Sequence, residues 1–372
     1  MSTITFVRNV IFTVLAVSVA AAAKVLANFF LSARLNQNAL LREVNGKHVL
    51  VTGGSKGLGL ALARLLVKNG ANVTIVARGQ KALDEARREL QQLAASNAQA
   101  PKILAVSIDL SKYDQVVQEI DIIRGEMGKI DWVIANAGSA APGFLANQLD
   151  LEFEGMIHQN LFSVANLVRA LLKSAKQIAE DKHIIPGSRT WPISGLSPAA
   201  QSQMPTKIIF VGSVCSALSF LGYSAYGASK FGLRGFADGL RSEFAPLGIA
   251  MHVYLPANMD TPGFAVENET KPEITAQIEG TGSTLSADDA ASALFAGVLK
   301  KRYLVCNDVV GELVRVVANG AVPRPNPITE AFAAPALVLA FAVWSLLSDY
   351  EVATYFKTAP KPKKASTQEK QK

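Results

Sequence analysis

Residues 47–70 read KHVLVTGGSKGLGLALARLLVKNG, and this stretch decides the fold. His48–Val51 is a short β-branched, apolar run with the composition of a strand buried on both faces. Helical spacing begins at Leu58 and runs to Asn69, with Gly70 behind it as the stop. Between the two lie Gly53, Ser55, Lys56 and Gly57, with Leu58 and Gly59 opening the helix. A strand, a glycine turn and a helix in succession form the unit that holds a dinucleotide diphosphate. The glycines permit the tight turn, let backbone N–H groups approach the anion, and leave it at the positive end of the helix. The spacing is Gly-x3-Gly-x-Gly rather than the more familiar Gly-x-Gly-x-x-Gly. An ordinary glycine-rich loop is the competing reading, and the apolar strand in front of the turn weighs against it.

Outward from this unit the same alternation continues. Val73–Ala77, Ile103–Ser107, Trp132–Ala135, Lys207–Val211 and Ala250–Leu255 read as further strands, each flanked by helical stretches such as the charged Gln80–Ala95. Apolar strands alternating with helices predict an α/β fold with a parallel sheet covered on both faces. Residues 181–206 are rich in Pro, Ser and Gln between a helix and a strand, and predict an exposed inserted loop.

Composition excludes several classes of function. The chain has 372 residues, 49 % hydrophobic and 18 % charged, so it has ample material for a core. Cys215 and Cys306 stand far apart and the four histidines are scattered singly, so no disulfide framework or metal site is expected. The net charge is +7, but the tail from Lys357 to Lys372 holds six lysines and one glutamate. The rest of the chain is therefore nearly neutral, and no nucleic-acid surface is expected.

Both ends look like membrane elements. Val10–Ala23 is unbroken apolar and small residues, and after Lys24 a second run covers Val25–Leu31. A cleaved signal peptide, an uncleaved anchor and a soluble amphipathic arm compete for this segment, and the anchor is preferred. Ala331–Leu347 carries no charge and is interrupted by Pro335. Basic residues after the first segment and in the tail both favour the cytosolic side, so a single crossing through Ala331–Leu347 is disfavoured. A re-entrant or interfacial element is expected there, paired with the apolar stretch around Leu313–Val322. The resulting division is an anchor over 1–34, a body over 45–325, a membrane-associated segment over 328–348 and a disordered lysine-rich tail over 357–372.

The body also carries chemistry. No Asp or Glu lies between Val73 and Lys81, where a site for NAD presents an acid to the ribose; Arg78 stands there instead. With Lys56, and more weakly Lys81, it suits the 2′-phosphate of NADPH. Asp109, followed by Leu110, is placed to accept from the adenine amino group or to cap a helix. Ser213 follows the strand Lys207–Val211, and Tyr226 and Lys230 lie one helical turn apart on one face. A carbonyl reductase needs a proton donor timed to hydride arrival. A phenol beside an ammonium that stabilises its phenolate fills that role, with Ser213 bonding the substrate oxygen and Asn160 anchoring a water relay to the lysine.

Thr52-Gly53-x3-Gly57-x-Gly59, Asn136-Ala137-Gly138, Asn160, Ser213 and Tyr226-x3-Lys230 resemble the short-chain dehydrogenase/reductase family over roughly 47–264. The resemblance implies a Rossmann-type doubly wound sheet of about seven strands, a homo-oligomer, and cofactor contacts from Asn136, Ala137, Gly138 and Thr261. Ala135 and Pro256-Ala257 depart from the usual Asn and Pro-Gly. Within the family, residues 222–231 and 260–264, Arg78 and the apolar ends look like the 3-ketodihydrosphingosine reductases, and the 181–206 insertion is similar to that of fungal members. That implies NADPH-dependent reduction of a long-chain keto-lipid at the cytosolic face of the endoplasmic reticulum membrane. Leu218, Phe220, Leu221, Tyr223, Met259 and Phe264 are the candidates for an apolar lining. The alternatives are another lipid ketone, such as a 3-ketoacyl-CoA or a steroid, and a non-enzymatic nucleotide-binding scaffold.

Overall fold

A computed structural model describes residues 3–32, 34–97, 100–179, 196–280 and 284–358. Its elements in chain order are α1 (Thr3–Ser32), α2 (Gln37–Val44), β1 (His48–Thr52), α3 (Gly57–Lys68), β2 (Asn72–Ala77), α4 (Gln80–Ala95), β3 (Ile103–Ser107), α5 (Tyr113–Met127) and β4 (Trp132–Ala135). Then come α6 (Asp150–Ile157), α7 (Ser163–Ile178), α8 (Pro198–Gln203), β5 (Lys207–Val211), α9 (Ser224–Phe244), β6 (Ala250–Leu255), β7 (Met259–Asp260), α10 (Pro262–Thr270) and α11 (Glu273–Glu279). The chain closes with β8 (Leu285–Ser286), α12 (Ala287–Leu299), β9 (Leu304–Cys306), α13 (Val309–Ala318) and α14 (Pro327–Thr358).

Seven parallel strands form one sheet in the order β3-β2-β1-β4-β5-β6-β9. This is the doubly wound Rossmann-type arrangement that the sequence predicts. Alternation along β1 shows why both faces are covered: Val49 and Val51 point to one core and Leu50 to the other. The first core packs Leu62 and Leu66 of α3 and Phe295 of α12 against the sheet. The second packs Ile120 of α5, Leu171 of α7 and Leu233 of α9. The strand order reverses between β1 and β4, and a crevice opens at their carboxyl ends, where such sheets take ligands.

Two expectations shift. Of the 181–206 insertion, residues 181–195 lie outside the described set. The rest is no plain exposed loop: α8 is capped by Ser197 and tucks Leu196, Ala200 and Met204 inward. The apolar carboxyl-terminal segment is one helix of 32 residues that runs through Pro335. Its main partner is α1 rather than the 313–322 stretch, although Val25 of α1, Val316 of α13, and Ala333 and Leu337 of α14 do share a small core.

Both ends of α14 rest on the body. Near its start Glu330, 1 % exposed, pairs with Arg315 at 2.9 Å, and Arg315 also holds Glu312. Near its far end the Phe356 ring packs on Phe144 with centroids 5.7 Å apart. The outward faces of α1 and α14 are apolar, with Phe12, Val19, Leu339 and Leu346 all more than half exposed. Both helices are long and apolar enough to cross a membrane.

Candidate active site

The glycine turn is built to let backbone approach backbone. A Cβ on Gly59 would sit 2.1 Å from the Gly53 carbonyl oxygen, and one on Gly53 would meet Asn136 Nδ2 at 2.8 Å. Gly53 and Gly57 also have φ of +64° and +50°, which only glycine adopts freely. Thr52 Oγ1 accepts the amides of Asn136 and Ala137 at 2.9 Å each, and Asn136 Nδ2 returns a bond to the Thr52 carbonyl. These bonds lock the end of β4 onto the turn. Thr261 caps α10 through the Phe264 amide, and its side chain closes over Gly57.

Two adjoining cavities fill the crevice. The smaller, about 380 Å³, is lined by Gly53, Ser55, Lys56, Arg78, Asp109, Leu110, Ala137 and Gly138. Arg78 and Lys56 both line it, and the tip of β2 carries no carboxylate. Lys81 is exposed on α4 and lines neither cavity. Asp109 Oδ1 accepts from the amide and hydroxyl of Ser111, so it holds its own turn; α5 begins later, behind Lys112. Burial raises the Asp109 carboxyl, but Ser111, Lys112 and Arg78 outweigh that and leave it below the usual range.

The larger cavity, about 440 Å³, is lined by Gly57, Leu58, Gly59, Asn136, Ser213, Tyr226, Lys230 and Thr261 among others. Ser213 is extended, and its Oγ accepts the Cys215 amide at 3.1 Å. Lys230 is 4 % exposed and donates to the Val211 carbonyl at 3.1 Å. Burial lowers its ammonium to about 8. Burial likewise pushes the Tyr226 phenol upward, the buried Cys215 adds to that, and a hydrogen bond with Ser213 pulls it partly back. Lys230 Nζ stands 5.7 Å from the centre of the Tyr226 ring. Lys230 is engaged with the β5 backbone, and desolvation governs the phenol.

Asn160 is fully buried on a π-helical turn, His158–Phe162, between α6 and α7. Its Nδ2 donates to the Ser139 carbonyl and to Ser229 Oγ, and its Oδ1 accepts the Ser139 amide, all at 2.9 Å. Ser229 in turn donates to the Tyr226 carbonyl at 2.7 Å. The carboxamide ties the loop after β4 to the helix of Tyr226 and Lys230. Sequence reasoning missed Ser139 and Ser229, although Ser229 directly precedes Lys230.

Of the proposed apolar lining, Tyr223, Met259 and Phe264 face the larger cavity. Leu218, Phe220 and Leu221 do not line it; Phe220 packs edge-on against Tyr223 at 5.2 Å. Sequence reasoning also missed Cys215, Glu267 and Glu279, which line the same space. The glutamates come from α10 and α11, helices without a motif, so only their docking brings them in.

The cradle that a Cβ would fill, the two cations beside Ser55, and the buried lysine next to the serine and tyrosine together suit a nicotinamide dinucleotide. Comparison with known proteins agrees. The short chain dehydrogenase family profile matches residues 47–183 and 191–272. A 3-dehydrosphinganine reductase of Arabidopsis thaliana is 32 % identical over 278 residues, covering 75 % of each chain. A 3-ketodihydrosphingosine reductase of Cryptococcus neoformans is 31 % identical over 314 residues, 83 % of this chain and 85 % of that one. A PIGF/3-ketodihydrosphingosine reductase fusion protein of Schizosaccharomyces pombe is 34 % identical over 313 residues, 84 % of this chain, which spans 58 % of the fusion. A Burkholderia phymatum short chain dehydrogenase/reductase solved with NAD superimposes with a TM-score of 0.57 at 21 % identity, over 74 % of this chain and 94 % of that one. Fold, site and relatives lead to one assignment: the chain is an oxidoreductase belonging to the short-chain dehydrogenase family.

Proposed function

We propose that this protein reduces the 3-keto group of 3-ketodihydrosphingosine to dihydrosphingosine with NADPH, as a step of sphingolipid biosynthesis. The observation that carries it is the single cavity where Ser213, Tyr226 and Lys230 meet the glycine turn, in a chain whose relatives bear that reductase's name. The smaller cavity holds the adenosine end, with Arg78 and Lys56 taking the 2′-phosphate, Ser55 beside them and Asp109 and Leu110 bordering the base. Gly53, Gly57, Leu58 and Gly59 receive the diphosphate; Asn136, Ala137, Gly138 and Thr261 border the nicotinamide half.

Bound there, the dinucleotide supplies the hydride that reaches the ketone carbon. Ser213 donates a hydrogen bond to the ketone oxygen and fixes it. Tyr226, kept protonated by its burial, gives its phenolic proton to that oxygen as negative charge develops. Lys230, charged below about pH 8, offsets the phenolate that remains. Asn160 keeps the Tyr226 helix in register through Ser229 and Ser139.

The apolar outward faces of α1 and α14 suit association with the endoplasmic reticulum membrane, the body facing the cytosol. A long-chain ketone partitions into a bilayer at about 0.8 kcal/mol per methylene, so an enzyme resting on the surface meets it where it resides. Members of this family commonly pair through helices beside the active site, and a homo-oligomer is part of the proposal. The test is NADPH oxidation by purified protein in detergent on adding 3-ketodihydrosphingosine, with dihydrosphingosine identified by mass. Oxidation that does not respond to this ketone, or responds better to a 3-ketoacyl-CoA or a steroid, sinks the reading. Growth of cells lacking long-chain-base synthesis, without added dihydrosphingosine, is the matching test in vivo.

A further inference from the structure

The wall of the catalytic cavity carries a polar cluster that the proton transfer does not use. Tyr223 donates its hydroxyl to Glu267 and, at 3.4 Å, to Glu279. Lys271 Nζ donates to Glu279 at 2.6 Å and stands 3.5 Å from Glu267. The lysine side chain is 4 % exposed and each glutamate 16 %. Phe264 and Tyr223 present their rings to the same Nζ at 4.7 and 5.9 Å. Tyr223, Phe264, Glu267 and Glu279 all line the cavity with Ser213 and Tyr226, and the Tyr223 and Tyr226 rings lie 5.8 Å apart.

Two features of this cluster point to a guest. Its own occupant is a primary ammonium, seated between two carboxylates and two aromatic faces, which is the chemistry of a cation site. Its formal charges also do not balance, since two carboxyl groups face one ammonium, and burial beside Glu279 raises the Glu267 carboxyl above its usual range. Lys230, the buried lysine that lines this cavity, is held by the Val211 carbonyl. A second small cation beside the first would use the remaining carboxylate lone pairs and cancel the surplus charge.

We propose that Glu267 and Glu279 recognise a primary ammonium on the carbon next to the substrate ketone, and so select an α-amino ketone over a plain one. The proposal rests on the reading that the substrate is 3-ketodihydrosphingosine, whose C2 amine adjoins the C3 carbonyl. The Tyr223 ring, whose hydroxyl the glutamates accept, lies 5.8 Å from the Tyr226 ring, so an amine adjoining the carbonyl is in reach of the same stretch of wall. The same surplus of negative charge disfavours an anionic thioester substrate.

The experiment compares kcat/KM of the full-length protein in detergent for three ketones of equal chain length: the amino ketone, its N-acetyl derivative and the des-amino ketone. The wild type favours the amino ketone by at least about tenfold, the value of one charge-assisted hydrogen bond. Glu267→Gln and Glu279→Gln keep size and shape and each shrink that preference by about tenfold, whatever they do to all rates together. A preference that survives both substitutions, or variants that slow all three ketones alike, overturns the ammonium site and assigns the cluster to holding α10 and α11 in place. A wild type that reduces 3-ketodihydrosphingosine with no preference for the amine overturns it too, while the reductase reading stands. A wild type inactive on that ketone removes both.

Discussion

In the proposed mechanism the chemistry turns on Lys230, because its charge is close to being lost. Burial lowers its ammonium to about 8, while the Tyr226 phenol is moved upward. Over the neutral range Tyr226 is therefore the protonated acid throughout, and Lys230 alone changes state. The charged form is the useful one, since it offsets the phenolate. kcat/KM for ketone reduction, which reports the free enzyme, is expected to hold below pH 8 and fall as pH rises through about 8. A profile flat to pH 9.5 would count against this role. Tyr226→Phe removes the proton donor and is expected to lower kcat by about 10²- to 10⁴-fold, with the cofactor Kd near its original value by fluorescence titration. At the other end of the crevice, Arg78 stands where the tip of β2 carries no carboxylate, and the one carboxylate sharing its cavity, Asp109, is held by Ser111. Arg78→Asp is expected to raise KM for NADPH by at least about tenfold and to improve the use of NADH, read from the ratio of the two kcat/KM values.

The elements that carry chemistry were largely legible in the chain, and the reason is physical. β1 and the glycine turn declare themselves because a strand buried on both faces must be apolar, and a close turn must lack side chains. Tyr226 and Lys230 were legible because α9 imposes a turn-by-turn spacing. Ser229 apart, which sits on α9, the missed groups lie where the local pattern says little. The three-residue β9 is too short to show a period, and α10 and α11 bring Glu267 and Glu279 to the cavity only by docking. The direction of the Tyr226 shift was likewise invisible, because it depends on burial rather than on spacing. α14 shows the same division. Its apolar run is plain, but its docking depends on Glu330 meeting the buried Arg315 beside Glu312, with the part-exposed Arg324 on the same carboxylate. Removing one partner of such a cluster strands the rest. Glu330→Ala is expected to cost about 3 kcal/mol, seen as a lower unfolding midpoint in detergent and earlier proteolysis within 327–358. Wild-type resistance in that variant would mean that α14 is held chiefly by α1.

For the whole molecule, the two contacts of α14 bear on how the protein would sit on the membrane that the proposed function gives it. A helix of 32 residues is about 48 Å long, more than enough to cross a hydrocarbon core of about 30 Å. Crossing would carry its far end to the opposite side, yet Glu330 and Phe356 both touch the same body. One end would have to let go, breaking either the buried pair with Arg315 or the ring contact with Phe144. Lying along the body with α1 keeps both and still turns Val338, Leu339, Val343 and Leu346 outward toward lipid. The expected arrangement is in-plane, with body and lysine-rich tail on one side. In sealed microsomes, added protease is expected to remove an epitope fused after Lys372 as fast as one grafted on the body, without detergent. Protection of the carboxyl-terminal epitope alone would mean that α14 leaves Phe144 and crosses, and the flat arrangement would fall.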